Sequence, residues 1–278
     1  MRRRAGAGTG RGPQVRGSLF APIPKVLHQT WKTPQVPAEW RSFRESWLRH
    51  HPGWRHVLWT DEDNRRLIAE HHPWFLPVYD AFPRHIQRVD AAKYFILYTH
   101  GGVYADLDSE CLQPLDPLLA RGGAVVGRSR DGVIECAVLA SPPRHPLWEI
   151  AFREMQAPPL LARLFRGRRR VDATHVLFST GPQMMRRAVR RYLAEHCRGE
   201  AAPGITVLPP RYLSARTWWQ RYERIDEPEA FVRHHYSDSW LWPEELALNR
   251  WLTARKLTVF LAGLLLAAGG LALAKALS

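Results

Sequence analysis

The sequence predicts one α/β domain over residues 22–251, a basic leader at 1–21 and a membrane-spanning C-terminal helix at 255–277. Three observations predict this. Strand-like and helix-like apolar spacings alternate between Pro22 and Trp251, as in a sheet covered by helices. Leu257–Ala274 is a run of 18 residues without a charge, which as a helix covers roughly 27 Å, close to the hydrocarbon thickness of a bilayer. Finally, 45% of the 278 residues are hydrophobic and 12 are Trp, enough to bury a core and to exclude disorder of the whole chain.

The first stretch, MRRRAGAGTGRGPQVRG, is rich in Arg and Gly without an apolar run, so it reads as a disordered leader rather than a signal peptide. A transit peptide is disfavoured because Ser is nearly absent. Ile23–Trp31 and His56–Trp59 read as strands, and Trp40–His50 and Glu62–His71 as helices. From Ile86 to His100, apolar residues at 86, 89, 92 and 96 keep a helical spacing, and Gly101-Gly102 ends the helix. Val103–Leu107 follows as a strand; Ala124–Arg128, Val133–Ala140 and Ile205–Leu208 are further strands. The tract 163–170 reads as an exposed loop or helix end. In the C-terminal run, Thr258 is the only polar side chain, and Gly269-Gly270 is tolerated in lipid. Arg255 and Lys256 precede the run and Lys275 alone follows it, which places the domain on the cytosolic side.

Lys+Arg 40 against Asp+Glu 26 gives a net charge of +14, and only five of the basic residues are Lys. Guanidinium suits phosphates and lipid headgroups, so nucleic acid, nucleotide and anionic membrane are all open as partners on charge alone. The Arg residues are spread along the chain and no nucleic-acid-binding motif occurs, which argues against nucleic acid. Cys111, Cys136 and Cys197 form neither a disulfide framework nor a CxxC metal site, favouring a reducing compartment.

The segment with the most chemistry in it is Gly101-Gly102-Val103-Tyr104-Ala105-Asp106-Leu107-Asp108. Two carboxylates closing a strand that has just turned through two glycines can converge at its end, and paired oxygen ligands suit a hard cation such as Mn²⁺ or Mg²⁺. Asp is also a common turn residue, so an Asp-x-Asp on its own is equally a turn cap.

Its context is what distinguishes it. Ile23–Lys32, Leu58-Trp59-Thr60-Asp61, and Gln87–Phe95 running into Gly101–Asp108 resemble the DXD-motif sugar-transferase family, of the glycosyltransferase family 32 type. Within it the likeness is to the inositol phosphoceramide mannosyltransferases, alongside the initiating α-1,6-mannosyltransferases of yeast. Ser141–Pro146, Ser179–Pro182 and His234–Trp240 extend the match in order over about residues 22 to 243. The resemblance implies a GT-A, Rossmann-like fold and a retaining transfer of a hexose from a nucleotide-sugar, GDP-mannose or a UDP-hexose, to a lipid-linked or glycan acceptor. Mannose and an inositol-phospholipid acceptor are what these relatives suggest.

Carried over residue by residue, Asp106 resembles the first acid of the motif, facing ribose and metal, and Asp108 the direct metal ligand. His28 and Trp31 fall where the family's first strand meets the nucleotide base, Trp31 as a stacking platform. Arg88, Asp90 and Tyr104 match positions that touch the nucleotide-sugar. His235, with Ser239 and Trp240, matches the C-terminal segment that closes over metal and diphosphate, which makes His235 the third expected metal ligand. The chain departs from the family pattern in carrying Lys93 where Arg is usual, Asp238 where Gly or Ser is common, and no Asn near Cys136. Fungal relatives imply the Golgi lumen, whereas the charges flanking the apolar run point to the cytosolic face. Two other classes stand beside the enzyme reading: a basic module binding nucleic acid or anionic membrane, and a catalytically inactive relative of the same fold.

Overall fold

A computed structural model of the chain describes residues 21–164, 172–196, 204–213, 228–237, 239, 241 and 243–247. The expected apolar span at 257–274 lies outside the described residues, as does nearly all of the expected leader. Among the described residues no helix is long and apolar enough to cross a membrane.

The chain runs β1 (Val26–Thr30), α1 (Ala38–His50), β2 (Arg55–Trp59), α2 (Asp61–His71), a 3-10 turn at Pro73–Phe75, α3 (Leu76–Asp80), α4 (His85–His100), β3 (Gly102–Ala105) and β4 (Ser109–Cys111). It continues through α5 (Asp116–Leu119), β5 (Ala124–Arg128), β6 (Ile134–Ser141), α6 (Pro146–Gln156), α7 (Leu160–Leu164), α8 (Asp172–Ser179), α9 (Pro182–His196), β7 (Ile205–Leu208), α10 (Pro210–Leu213) and β8 (Val232–His234). The expected strands and helices are present with their ends displaced by a few residues. The first strand starts late because Pro24 has no N–H for the ladder and its carbonyl instead accepts from Val26 N. The strand carrying the aspartates stops at Ala105 because Asp106 O accepts from Ser109 N, closing a turn through Leu107 and Asp108.

The main sheet has the order β2-β1-β3-β6-β5-β7. Strands β2, β1 and β3 are parallel, β6 is antiparallel to both β3 and β5, and β5 is parallel to β7. This is a mixed α/β architecture. Its strands alternate between two apolar layers, as the two-residue period of a strand requires, apart from a register shift between β5 and β6 at Val126/Gly127. Tyr104, Ala124, Val126 and Leu139 face one layer, built on α4, α6 and α9 around Phe95, Trp148 and Phe152. The rings of Phe95 and Phe152 stack there with centroids 3.9 Å apart. Val103, Ala105, Val125, Val138 and Ala140 face the other layer, around Trp47, Trp54 and Leu115.

Local chemistry sets the element ends that matter for the site. Thr60 caps α2 through a reciprocal pair with Asp63: Asp63 N donates to Thr60 Oγ1, and Thr60 N to Asp63 Oδ2. Gly101 (φ +63°) ends α4 and Gly102 (φ +100°) opens β3, both in conformations that glycine adopts at little cost. There is also no space for anything larger. A Cβ on Gly102 would lie 2.6 Å from Val26 O, and one on Gly101 would lie 2.7 Å from the Pro143 ring. The segment Ser141–Pro146 is thus part of the scaffold that sets the turn into β3. A separate two-stranded ribbon, β4 with β8, pairs Ser109 with His234, Glu110 with Arg233 and Cys111 with Val232. Trp47 Nε1 donates to Ser109 O and Ser46 Oγ accepts from Cys111 N, so α1 holds this ribbon from the side.

Candidate metal and nucleotide-sugar site

In the parallel half of the sheet, β1 lies between β2 and β3, so the chain leaves it toward opposite sides. Ligands of open α/β sheets bind beyond the carboxyl ends of the strands at such a switch point. Here that point is the gap between Thr30-Trp31 and Ala105-Asp106. The two lips are tied together by Tyr104, whose hydroxyl pairs with Thr30 Oγ1 at 2.7 Å and donates to Asp106 Oδ1 at 3.0 Å.

Asp106 follows Tyr104 by two residues and faces the same layer, where α4 supplies Asp90 and Lys93. Lys93 Nζ is 2.9 Å from Asp90 Oδ1 and 3.7 Å from Asp106 Oδ1, and it donates to Cys136 O at 3.2 Å. Asp90 Oδ2 accepts from Thr180 Oγ1 at 2.9 Å. Burial disfavours the charge on Lys93, yet Asp106 and Asp90 overcome it and keep the ammonium charged well past its ordinary range. Burial raises the Asp106 carboxyl, against the pull of Lys93.

Asp108 behaves in the opposite sense. Burial pushes its pKa up, but the His234 imidazole and the Ser237 N–H together hold it well below the usual carboxylate range. His234 Nε2 lies 3.3 Å from Asp108 Oδ1, and Ser237 N donates to Asp108 Oδ2 at 2.9 Å. His234 is raised to about 9: burial opposes its charge, and Asp108 outweighs burial. One ligand atom each from Asp106, Asp108 and His234 lies within 4.8 Å of the others. Two carboxylates and an imidazole form a donor set that suits Mn²⁺ or Mg²⁺ in the oxygen-rich part and tolerates the nitrogen best with Mn²⁺. The ring packs against Tyr236, centroids 4.1 Å apart, and among the described residues His234 Nδ1 is buried without a hydrogen-bond partner, so that nitrogen is not committed elsewhere. The residues therefore fit a divalent cation.

The structure gathers some of the expected residues here and places others elsewhere. Asp106 and Asp108 converge as expected. The histidine of this cluster is a correction: His234, not His235, joins the two acids. Neighbours on a strand point to opposite faces, and the register of β8 turns His234 toward Asp108. His235 instead stacks on Phe43, centroids 4.0 Å apart, and its Nε2 contacts Glu110 Oε2 at 3.1 Å. Its backbone N–H donates to Asp108 O at 2.9 Å, so it supports the motif through the main chain. His28 is a second correction. It is fully buried, with Nε2 donating to Gly101 O at 2.9 Å and Nδ1 accepting from Trp59 Nε1 at 3.1 Å. Burial lowers its pKa to about 4, so this neutral ring is a strut between β1 and the glycine turn with both nitrogens engaged. Tyr104 is likewise fully buried and acts on the site through Asp106.

Trp31 sits half-buried at the end of β1, edge-on to Trp40 with centroids 4.6 Å apart. Asp90 belongs to the buried network under Asp106. Arg88, two residues earlier, turns to a cavity of about 640 Å³ lined by Asp61, Arg65, Tyr79 and His85, and donates from Nη1 to Phe82 O. Ser239 is exposed next to Ser237; Trp240 and Asp238 lie outside the described residues. The sequence did not mark Thr180 or Ser237 as partners of these acids. Thr180 and Ser237 stood inside quoted motifs, but nothing in their spacing says which acid they meet.

Residues 37–123 match the family described as glycosyltransferase sugar-binding region containing DXD motif. Over these residues the chain is similar to the DXD-motif sugar transferases. It is 44% identical over 139 residues to inositol phosphoceramide mannosyltransferase 2 of Schizosaccharomyces pombe, covering 48% of this chain and 39% of that protein. Inositol phosphoceramide mannosyltransferase 1 of the same yeast is 33% identical over 221 residues, covering 78% of this chain and 62% of that protein. Mannosyl phosphorylinositol ceramide synthase SUR1 of Saccharomyces cerevisiae is 42% identical over 139 residues, covering 48% and 35%. The chain thus spans less than two thirds of the length of each of these relatives. The family match includes α4, the glycine turn and the Asp106-Leu107-Asp108 segment, and ends before β8, which carries His234.

Proposed function

We propose that this chain is a membrane-bound, metal-dependent glycosyltransferase of GT-A type that retains anomeric configuration and moves a hexose, mannose, from a nucleotide-sugar to an inositol-phospholipid acceptor. The observation that carries this reading is the convergence of Asp106, Asp108 and His234 at a sheet switch point. The nature of the relatives supports the mannosyl and inositol-lipid parts of it. Asp106, Asp108 and His234 would hold the cation, whose chemistry is Lewis-acid stabilisation of the negative charge on a departing nucleoside diphosphate.

The residues around it have separate tasks. Asp108, held ionised by His234 and Ser237, offers a carboxylate at every physiological pH. Tyr104 and Lys93 keep Asp106 aimed outward, and Trp31, at the end of β1, would stack on the base. Preorganised charge of this kind supplies much of the catalysis in such transfers. The basic surface of α9, part of the positive charge behind the binding-module reading, is partly neutralised, since Arg187 and Arg191 both pair with buried Glu154. This favours a structural use of those arginines over nucleic-acid binding.

The test is release of nucleoside diphosphate by the full chain in membranes or detergent from GDP-mannose, UDP-galactose and UDP-glucose, with inositol phosphoceramide present, with and without Mn²⁺. Turnover of GDP-mannose that needs Mn²⁺ and is lost in Asp108→Asn is expected. No turnover of any donor, or turnover intact in Asp108→Asn, sinks the reading.

A further inference from the structure

Lys93 is only 2% exposed, and each acceptor around its ammonium comes from a different element. Asp90 on α4 and the carbonyl of Cys136 on β6 take two of its N–H directions, and Asp106 Oδ1 lies in range of the third. Asp90 is fixed in turn by Thr180, whose carbonyl accepts from Tyr94 OH at 2.7 Å. The ring of Tyr104 flanks the ammonium, 5.2 Å from its centroid, and the Tyr104 hydroxyl donates to the same Asp106 Oδ1. Asp106 Oδ1 therefore accepts from the Tyr104 hydroxyl and faces the Lys93 ammonium at ion-pair range, 3.7 Å away. Its Oδ2 makes no hydrogen bond among the described residues, and the Asp106 side chain is 28% exposed against 3% for Lys93. The carboxylate stands at the boundary between a closed network and the open site.

We propose that Lys93 is a positioning residue that fixes Asp106 Oδ1 inward and so presents Oδ2 to the cation. The proposal rests on the metal-site reading above. It has a sign that a plain charge effect lacks. Loss of a positive charge beside a cation site would by Coulomb's law alone tighten cation binding, whereas loss of a positioning group weakens it. A structural role is separated by pairing two substitutions. Lys93→Met leaves Asp90 buried without its ion partner, which destabilises the fold. Adding Asp90→Asn removes that unpaired charge and restores the wild-type net charge of the cluster.

The experiment measures Mn²⁺ affinity by titration calorimetry, and Tm without metal, in the full-length wild type, Lys93→Met, Lys93→Met/Asp90→Asn and Asp108→Asn. The expected result is that the double variant recovers most of the Tm lost by Lys93→Met while its Mn²⁺ Kd stays at least tenfold above wild type, in the range that lost supporting residues cost metal sites. A double variant that binds Mn²⁺ as tightly as wild type, or more tightly, overturns the proposal. Should Met at 93 not fold, Lys93→Gln with Asp90→Asn is read by the same criterion. A wild type that binds no Mn²⁺ overturns the metal-site reading and this inference with it. Binding that is lost in Asp108→Asn but unchanged in the Lys93 variants overturns this inference alone.

Discussion

Ser109 and His234 stand opposite one another across the β4–β8 ribbon, and that one register position sets the His234 imidazole beside Asp108. A slip of one residue would present His235 in its place, because side chains alternate along a strand. The register is held by the Trp47 bond to Ser109 O, by the Glu110–Arg233 pair and by the stack of His235 on Phe43.

The two histidines should therefore separate cleanly. His234→Ala is expected to raise the Mn²⁺ Kd more than tenfold, and His235→Ala to leave it within about threefold while lowering Tm. Calorimetric titration of both variants checks this, and the reverse ranking would return the ligand role to His235.

Metal and proton should compete at His234. Its pKa is raised from 6.5 to about 9 in the metal-free protein, where Asp108 outweighs burial, so the ring carries a proton at pH 7. An imidazole must shed that proton to coordinate. About one proton per Mn²⁺ is expected to leave at pH 7, and affinity should weaken as pH falls from 9 toward 7. Binding heats in buffers of different ionisation enthalpy measure the release; none at all would contradict the assignment.

Acid should unfold the protein through His28 and His145. Burial lowers both to about 4. In each ring Nε2–H donates to a carbonyl, Gly101 O or Gly204 O, while Nδ1 accepts from Trp59 Nε1 or Leu147 N. The folded pKa lies below the unfolded one, so the unfolded state binds more protons between pH 6.5 and pH 4. Stability is present above that window and falls through it, by about 3 kcal/mol per ring when fully expressed. Thermal melts at pH 7 and pH 4.5 should show the loss, and His145→Gln should make it smaller.

Gly102→Ala tests the turn that delivers the aspartates. The positive φ and the 2.6 Å approach to Val26 O leave no unstrained place for a methyl group, at a cost of about 3 kcal/mol. The Tm should drop by roughly 6–12 °C and Mn²⁺ binding should weaken with it. A variant as stable as wild type would mean that β1 and β3 can part without consequence.

Sequence patterns alone located most of the fold. The helix from 86 to its stop at Gly101-Gly102 was legible because apolar spacing and glycine freedom are local properties, although the helix is buried all along Asp90–Leu97 rather than on one face. The acidic pair was legible for the same reason, since Asp106 and Asp108 belong to one short segment. The three-residue strands β4 and β8 were not. They are too short to carry a period, and their pairing joins distant parts of the chain. His28 looked like a site residue and is a strut, because only its packing against Gly101 and Trp59 reveals that both nitrogens are taken.

What the order of residues determined by itself was the α/β alternation, the glycine turn and the two acids that follow it. Tertiary structure decided which histidine stands with those acids and that the Lys93 ammonium stands behind Asp106. Such contacts depend on strand register and on burial, and neither is encoded in any window of neighbouring residues.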